Sequence, residues 1–159
     1  MDDFSHVDAA GKVAMVDVGN KTPTKRTASA RAIVCVNDAI LLRLENNEIT
    51  TPKGAVFSTA IVAGIMAAKN TGNLIPLCHP IGMDNCNITI EINKDKEIEI
   101  ICTATVFAKT GIEMEALIGA SIAALTVYDM CKALSHNIVI KETRLISKTG
   151  GKKDFQHVQ

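Results

Sequence analysis

Two stretches of the chain, residues 56–68 and 116–128, each run for thirteen residues without a charged side chain. Ala, Gly and Ser recur in both at spacings of three and four, which places small side chains along a helix and lets another element approach closely. Both stretches are shorter than the roughly 20 apolar residues that cross a membrane. The pattern therefore predicts two buried helices.

Four β-branched, largely alternating stretches surround these helices and predict strands at residues 30–36, 87–92, 97–107 and 138–146, with a turn at 93–96. The order strand, helix, strand, strand, helix, strand is a split βαβ pattern. It predicts an α+β, ferredoxin-like fold, in which an antiparallel sheet carries the two buried helices on one face. Because the helices are apolar on more than one side, we also expect a second subunit to cover them.

Both ends of the chain are polar and aperiodic. We expect residues 1–25 to be a mobile N-terminal segment, residues 26–147 a single ferredoxin-like domain, and residues 148–159 a flexible tail rich in Gly and Lys. The chain has 159 residues, 47% of them hydrophobic, which is enough for one substantial core.

Composition narrows the possible functions. Seventeen basic residues balance seventeen acidic ones and only 3% of residues are aromatic, which disfavours nucleic-acid binding. The five cysteines form no CxxC pair, a pattern typical of reduced intracellular thiols, so we expect no metal site. The first residues are acidic and carry no apolar targeting stretch. We therefore predict a cytoplasmic protein without a membrane partner.

Candidate chemistry lies where charges return at the ends of the uncharged helices. Asp129 is near the end of the second helix, where the helix dipole disfavours a carboxylate by roughly 0.3–1 kcal/mol, and Lys132 follows on the same face. An exposed ion pair explains this spacing as well as an oriented catalytic lysine does. Lys53 precedes the first helix, where it is either a solvated turn residue, a ligand of a bound anion, or a base.

The stretch LIPLCHP holds His79 in a rigid corner, because Pro80 restricts its backbone and Pro76 stiffens the approach. Adjacent residues of an extended chain point to opposite sides, so Cys78 and His79 are poorly placed to share a metal ion. We expect His79 either to hydrogen-bond a ligand or to be satisfied in the core.

Four other charged residues have simpler explanations. Glu113 and Glu115 in the first turn of the second helix suit its dipole. Arg26, before the first strand, and Lys148, beside a pair of glycines, can bind an anion, although each alone is more often a solvated charge.

Taken together, LIPLCHP, KTGIEMEAL, AALTVYDMCKA and SKTGGKKDF, preceded by VDV and TPKGAVF, closely resemble the cyclic pyranopterin monophosphate synthase family, molybdenum-cofactor biosynthesis protein C. The resemblance runs from about residue 6 to residue 155. It implies a lyase that converts a cyclised dihydro-GTP into cyclic pyranopterin monophosphate and pyrophosphate. It also implies a homohexamer, a trimer of dimers, with active sites at subunit interfaces.

The resemblance assigns roles to single residues. Lys53 and Lys132 match the catalytic lysines of the family, and Asp129 lies beside Lys132 in the same motif. Ala55 stands where we expect a polar residue, which bears on the capping of the first helix, and TGGKK replaces a tail containing Ser. The positions that match substrate-binding or orienting residues are His79, Glu113, Met114, Glu115, Arg26, Lys148 and Cys78.

The implied reaction opens one ring, closes another and expels pyrophosphate, so it needs proton donors, proton acceptors and cations but no redox centre. We expect no required cofactor, with Mg²⁺ possible as a companion of the triphosphate. We take Lys53 mainly as the base and Lys132, kept charged by Asp129, mainly as the acid or a phosphate clamp. The reverse assignment stays open.

Two further expectations concern organisation. Because the two lysines belong to different helices, we expect them to come from different chains of a composite site. The alternative to an enzyme is a non-catalytic nucleotide-binding regulatory module on the same fold, in which the lysines are only phosphate ligands. Turnover of the cyclised dihydro-GTP distinguishes the two.

Overall fold

The computed structural model describes residues 11–158, so residues 1–10 of the predicted mobile N-terminal segment lie outside the described residues, as does residue 159. The elements in chain order are β1 (Thr24–Cys35), α1 (Asp38–Leu41), β2 (Leu44–Glu45), β3 (Glu48–Thr51), β4 (Gly54–Ala55), α2 (Val56–Lys69), α3 (Thr71–Leu74), β5 (Asn85–Ile92), β6 (Ile98–Ala108), α4 (Glu113–Cys131), β7 (Val139–Thr149) and β8 (Phe155–Gln156).

Five strands form one antiparallel sheet in the order β5-β6-β1-β7-β8, and β2, β3 and β4 form a small second sheet. Without β8, the order of the main sheet is that of a split βαβ fold. The long helices α2 and α4 pack against each other, and both lie on the same face of the sheet. The predicted α+β, ferredoxin-like architecture is confirmed.

The alternation of β1 explains why α4 lies close to the sheet. Between residues 28 and 34, every second residue of the strand points toward the helices and is buried, and most of these residues are alanines: Ala28, Ala30, Ala32 and Val34. The residues between them point to the opposite face, where hydroxyls pair across strands, as between Ser29 and Thr103 at 2.7 Å. Small side chains on the helix side leave room for the backbone of α4.

The predicted strands and helices correspond to observed elements, with some longer at their ends. β1 begins six residues before the predicted start, because its first half, TKRTASA, consists of small and polar residues without apolar alternation. β7 continues to Thr149, so Lys148 lies within a strand, and β8 pairs back onto it at Lys148 and Phe155. The predicted flexibility of the tail stays a prediction.

The two helices pack closely at Gly64 of α2 and Gly119 of α4. A Cβ atom at Gly64 of α2 would lie 2.7 Å from the carbonyl oxygen of Gly119 on α4 and 3.2 Å from the Cβ of Ala123. A Cβ at Gly119 would lie 2.6 Å from the sulfur of Cys102 in the sheet. The helices and the sheet therefore meet at a point where only hydrogen atoms fit.

Helix α4 is long and apolar enough to cross a membrane by length and composition alone, but half of its most apolar window is buried inside the protein. A core helix passes the same test, and α4 packs against both the sheet and α2. The helices also expose Val62, Met66 and Leu125, which are 58%, 64% and 52% accessible. The expectation that a second subunit covers this side stays a prediction.

We expect Gly64→Val to destabilise the protein by about 1–3 kcal/mol, because the new side chain would be forced against the backbone of α4. Urea unfolding measures the change. Gly82→Val is the matched control, since a Cβ at Gly82 has no neighbour within 4 Å. Equal stability of the two variants would show that the helix crossing has room to adjust.

Candidate active site

One carboxylate holds two lysines at the point where α2 begins and α4 ends. The Nζ of Lys53 lies 2.8 Å from Oδ2 of Asp129, and the Nζ of Lys132 lies 2.7 Å from Oδ1 of the same residue. Lys53 also donates to the backbone carbonyl of Asp129 at 3.0 Å. We call Lys53, Asp129 and Lys132 the lysine cluster. All three side chains are about half exposed, so a ligand from solvent can reach them.

The local sequence explains how each member of the lysine cluster is placed. Lys53 lies on the turn between β3 and β4, where its backbone N–H donates to the hydroxyl of Thr51 at 3.2 Å. Asp129 lies in the last turn of α4, and Lys132 is its C-terminal cap, with a backbone bond to the carbonyl of Tyr128. The two lysines thus come from different elements and bind different oxygens of Asp129.

The charges in the lysine cluster stabilise one another. Hydrogen bonds from Lys132 and Lys53, together with their positive charges, lower the pKa of Asp129 to about 2. The hydrogen bond and charge of Asp129 in turn raise the pKa of Lys132 above its usual range. Lys132 is therefore kept charged by Asp129, as the sequence suggested. A carboxylate disfavoured by its position in the helix is balanced by two ammonium groups.

The expectation that the two lysines come from different chains is wrong. Both bind one carboxylate within a single chain. The reason is that α2 and α4 run antiparallel, which brings the start of one helix beside the end of the other, although the two lysines are far apart in sequence.

A second group of predicted residues lies at the opposite end of α4. The Nζ of Lys148 on β7 lies 2.9 Å from Oε1 of Glu113 in the first turn of the helix. Arg26 on β1 donates to the backbone carbonyls of Ala108 and Lys109 at 3.0 and 3.3 Å. Arg26, Glu113 and Lys148 line one cavity of about 610 Å³, a volume typical of small-molecule sites.

The LIPLCHP loop lies near the same end of α4. Glu115 is only 3% exposed, and its burial raises the pKa of its carboxyl group. Burial also raises the pKa of the Cys78 thiol, and the negative charges of Glu115 and Glu113 raise it further, which places this thiol near both acids. His79 and Met114 are half-buried. We call Arg26, Cys78, Glu113, Glu115 and Lys148 the helix-start cluster.

The predicted site residues therefore form two groups in one chain. Glu113 and Asp129 are sixteen positions apart on the same helix. At about 1.5 Å per residue this separation is about 24 Å. The two clusters therefore lie near opposite ends of α4, well separated along the helix.

Sequence reasoning missed several residues near these groups. Three lysines, Lys21, Lys152 and Lys153, also line the cavity beside Arg26 and Lys148. The doubled lysine after the Gly pair was a visible signal for two of them, whereas nothing in the sequence ties Lys21 to this place. Among residues 11–158, no group of three or more His, Cys, Asp or Glu side chains is placed to hold a metal ion.

The fold and the site define a class of protein: a ferredoxin-like domain with two amines on one carboxylate and a lysine-rich cavity, which are groups suited to proton transfer and to an anionic ligand. Comparison with known proteins makes the assignment specific. Residues 15–151 match the MoaC family. The chain belongs to this family.

Three relatives illustrate the match. A protein named cyclic pyranopterin monophosphate synthase from Xanthomonas oryzae pv. oryzae is 48% identical over 98% of this chain and 94% of its own length. One of the same name from Nitratidesulfovibrio vulgaris is 50% identical over 94% of this chain and 92% of its own length. Molybdenum cofactor biosynthesis protein 1 from Dictyostelium discoideum is 49% identical over 98% of this chain, which spans only 28% of that longer protein.

We expect the Asp129 carboxyl to titrate with a midpoint at about pH 2 in a carboxyl-resolved NMR experiment. Because the folded pKa is lowered, the stability that this carboxylate contributes is present above its ordinary pKa of 3.8 and is lost as the pH falls through about 2. Lys132→Met should move the midpoint upward, toward 3.8. Lys94→Met, on the turn between β5 and β6, should not. A wild-type midpoint near the ordinary value would contradict the shared contact.

Proposed function

We propose that this chain is a lyase of molybdenum cofactor biosynthesis that converts a cyclised dihydro-GTP into cyclic pyranopterin monophosphate and pyrophosphate. Membership of the MoaC family and the names of the bacterial relatives support this proposal. The observation that carries it is the lysine cluster, in which two amines converge on Asp129 at 2.8 and 2.7 Å. Paired amines supply the proton donor and acceptor that a ring opening followed by a ring closure requires.

The shared carboxylate supports a division of labour between the lysines. Asp129 raises the pKa of Lys132, which favours Lys132 as the proton donor or as a clamp on phosphate. If Lys53 is the base, its neutral form leaves Asp129 bound to Lys132, so the carboxylate is never without a cationic partner. The opposite assignment uses the same geometry with the two amines exchanged.

We assign Arg26 and Lys148 to the triphosphate, on the cavity that they line together. Arginine and lysine are the side chains best suited to hold phosphate oxygens. Glu113 and Glu115, with His79, Met114 and Cys78 nearby, are proposed to orient the pterin-forming part of the substrate.

We propose that Mg²⁺, where it takes part, enters bound to the triphosphate. Magnesium requires free oxygen ligands in an octahedral arrangement. Both oxygens of Asp129 are bound by ammonium groups, and Glu113 is paired with Lys148. Asp129 and Glu113 are therefore already engaged by ammonium groups and are poor ligands for a resident ion.

The separation of the clusters supports a composite site. A second copy of the chain can bring its lysine cluster to the helix-start cluster of the first, and a two-fold pairing then forms two equivalent sites. The exposed apolar residues of α2 and α4 supply surface for contacts between copies. We propose a homo-oligomer on these grounds. The hexamer, a trimer of dimers, is proposed as its full form from the resemblance to the family, and a cytoplasmic location is proposed from the sequence.

We expect Lys53→Ala and Lys132→Ala each to lower the rate of pyrophosphate release by at least about 10²-fold, because each removes one proton-transfer group. Both variants should remain folded, since both side chains are about half exposed. The assay uses purified protein and the cyclised dihydro-GTP, with Lys94→Ala as control. A wild-type protein that binds this nucleotide without releasing pyrophosphate would instead favour the non-catalytic regulatory module.

Subunit mixing tests the composite site. We expect a mixture of inactive Lys132→Ala protein with inactive Lys148→Ala protein to recover activity once subunits exchange, because some sites then receive an intact cluster from each chain. A mixture of Lys53→Ala with Lys132→Ala should stay inactive, since both lysines belong to one cluster. Native mass spectrometry verifies mixed oligomers in both experiments. No recovery in the first mixture would place the whole site on one chain.

A further inference from the structure

The residues at the start of helix α2 supply no side-chain cap for its first N–H groups. Ala55 is its N-terminal cap residue, makes no side-chain hydrogen bond to the helix, and is followed by no acidic residue in the first turn. The first N–H groups of a helix have no partner within the helix and are usually satisfied by a Ser, Thr, Asp or Asn at this position. Lys53 lies two residues before Ala55, where the helix dipole disfavours a positive charge.

The missing cap is supplied by Glu48, which lies outside the helix. Its Oε1 accepts from the backbone N–H of Phe57 at 2.7 Å, and its Oε2 accepts from the backbone N–H and the hydroxyl of Ser58 at 3.0 and 2.8 Å. These N–H groups, at the second and third positions of the helix, are the ones that a local cap would bind. Glu48 thus replaces the side chain that Ala55 lacks.

Glu48 is delivered to this position by a short rigid hairpin. It begins β3 and pairs with Glu45 of β2 across a two-residue turn, Asn46 and Asn47, which both have positive φ values of 51° and 59°. Such turns match the twist of antiparallel strands, and Asn tolerates the required backbone angles. The next residue, Ile49, is fully buried and anchors the strand.

The segment between Glu48 and the helix is the one that carries Lys53. Strand β3 pairs with β4, and Lys53 lies on the turn that joins them. Strand β4 continues directly into α2. Glu48 therefore links β3 to the start of α2 by hydrogen bonds. The turn that carries Lys53 lies between these two linked elements.

The negative charge of Glu48 also favours its position at the start of α2. Burial raises the pKa of Glu48, but the hydrogen bonds from Phe57, Ser58 and Ile49 outweigh burial, and the net pKa lies below its usual range. The side chain is therefore ionised at neutral pH and places a negative charge at the positive end of the helix dipole. This charge offsets the unfavourable position of Lys53 beside the same helix end.

We propose that Glu48 is a positioning residue, which holds the Lys53 turn in register with Asp129 by capping α2 in place of Ala55. This inference rests on the proposed function only where activity is measured. The Nζ of Lys53 lies 2.8 Å from Oδ2 of Asp129. If the turn were more mobile, the amine would occupy many positions and this contact would be lost for part of the time. Misplacement of a catalytic group by about 1 Å can cost about 10²-fold in rate.

The test compares Glu48→Ala with Glu45→Ala, which removes the same charge from the residue opposite on β2, where the side chain is exposed. We expect Glu48→Ala to lower kcat for pyrophosphate release by about tenfold or more with little change in KM. We also expect it to lower the Tm by about 2–4 °C. Glu45→Ala should change neither value. Glu48→Gln, which keeps one acceptor, should fall between them.

A second readout does not depend on turnover. Amine labelling followed by mass spectrometry reports how freely Lys53 reacts, with Lys94 as internal reference. We expect Lys53 to react severalfold faster in Glu48→Ala than in the wild type and in Glu45→Ala. If the wild type releases no pyrophosphate, the proposed function fails, while the labelling result still decides the role of Glu48.

Restoring a local cap completes the experiment. The backbone of Ala55, with φ of −71° and ψ of 117°, suits a capping residue, so Ala55→Asp should restore kcat, Tm and Lys53 protection to the Glu48→Ala variant. Wild-type kcat and labelling in Glu48→Ala would overturn the proposal. So would a loss of kcat with unchanged Lys53 labelling, or a double variant that regains its Tm but not its activity.

Discussion

The close crossing of α2 and α4 at Gly64 and Gly119 determines where the chemistry of this protein can lie. Lys53 precedes Gly64 by eleven residues, and Asp129 follows Gly119 by ten. The two helices run antiparallel, so the chain before Gly64 and the chain after Gly119 extend in the same direction. Because the two distances along the chain are nearly equal, Lys53 and Asp129 lie side by side. A side chain at Gly64 would press α2 against the backbone of α4, and one at Gly119 would press α4 against Cys102 of the sheet.

The lysine cluster contains more positive than negative charge. Two ammonium groups share one carboxylate, so the group as a whole carries a net positive charge and attracts an anion. Half-exposed ion pairs of this kind contribute little to stability, which leaves the amines available to a ligand that competes with Asp129. The carboxylate holds two reactive groups in place without neutralising both of them.

Much of the fold could be predicted because its main elements carry strong local signals. Charge-free runs with small residues marked α2 and α4, and β-branched alternation marked most of the sheet. The short elements α1, β2, β3, β4 and α3 span four residues or fewer, too few to show a period. The site residues were predicted by type, but not their grouping, since that depends on the direction in which the helices pack. Glu48 escaped notice because it caps α2 from about ten residues away in sequence, whereas cap rules consider only neighbours.

Helix α4 separates two chemically different ends by a fixed length. Its first turn carries acids beside the cavity of Arg26 and Lys148, and its last turn carries Asp129 beside the lysines. A rigid helix cannot bend one end to the other, so within one chain the two ends stay about 24 Å apart along the axis. Under the proposed two-fold pairing, each α4 contributes its start to one site and its end to the other. The length of the helix then sets the spacing of both sites, which makes that length a functional constraint as well as a structural one.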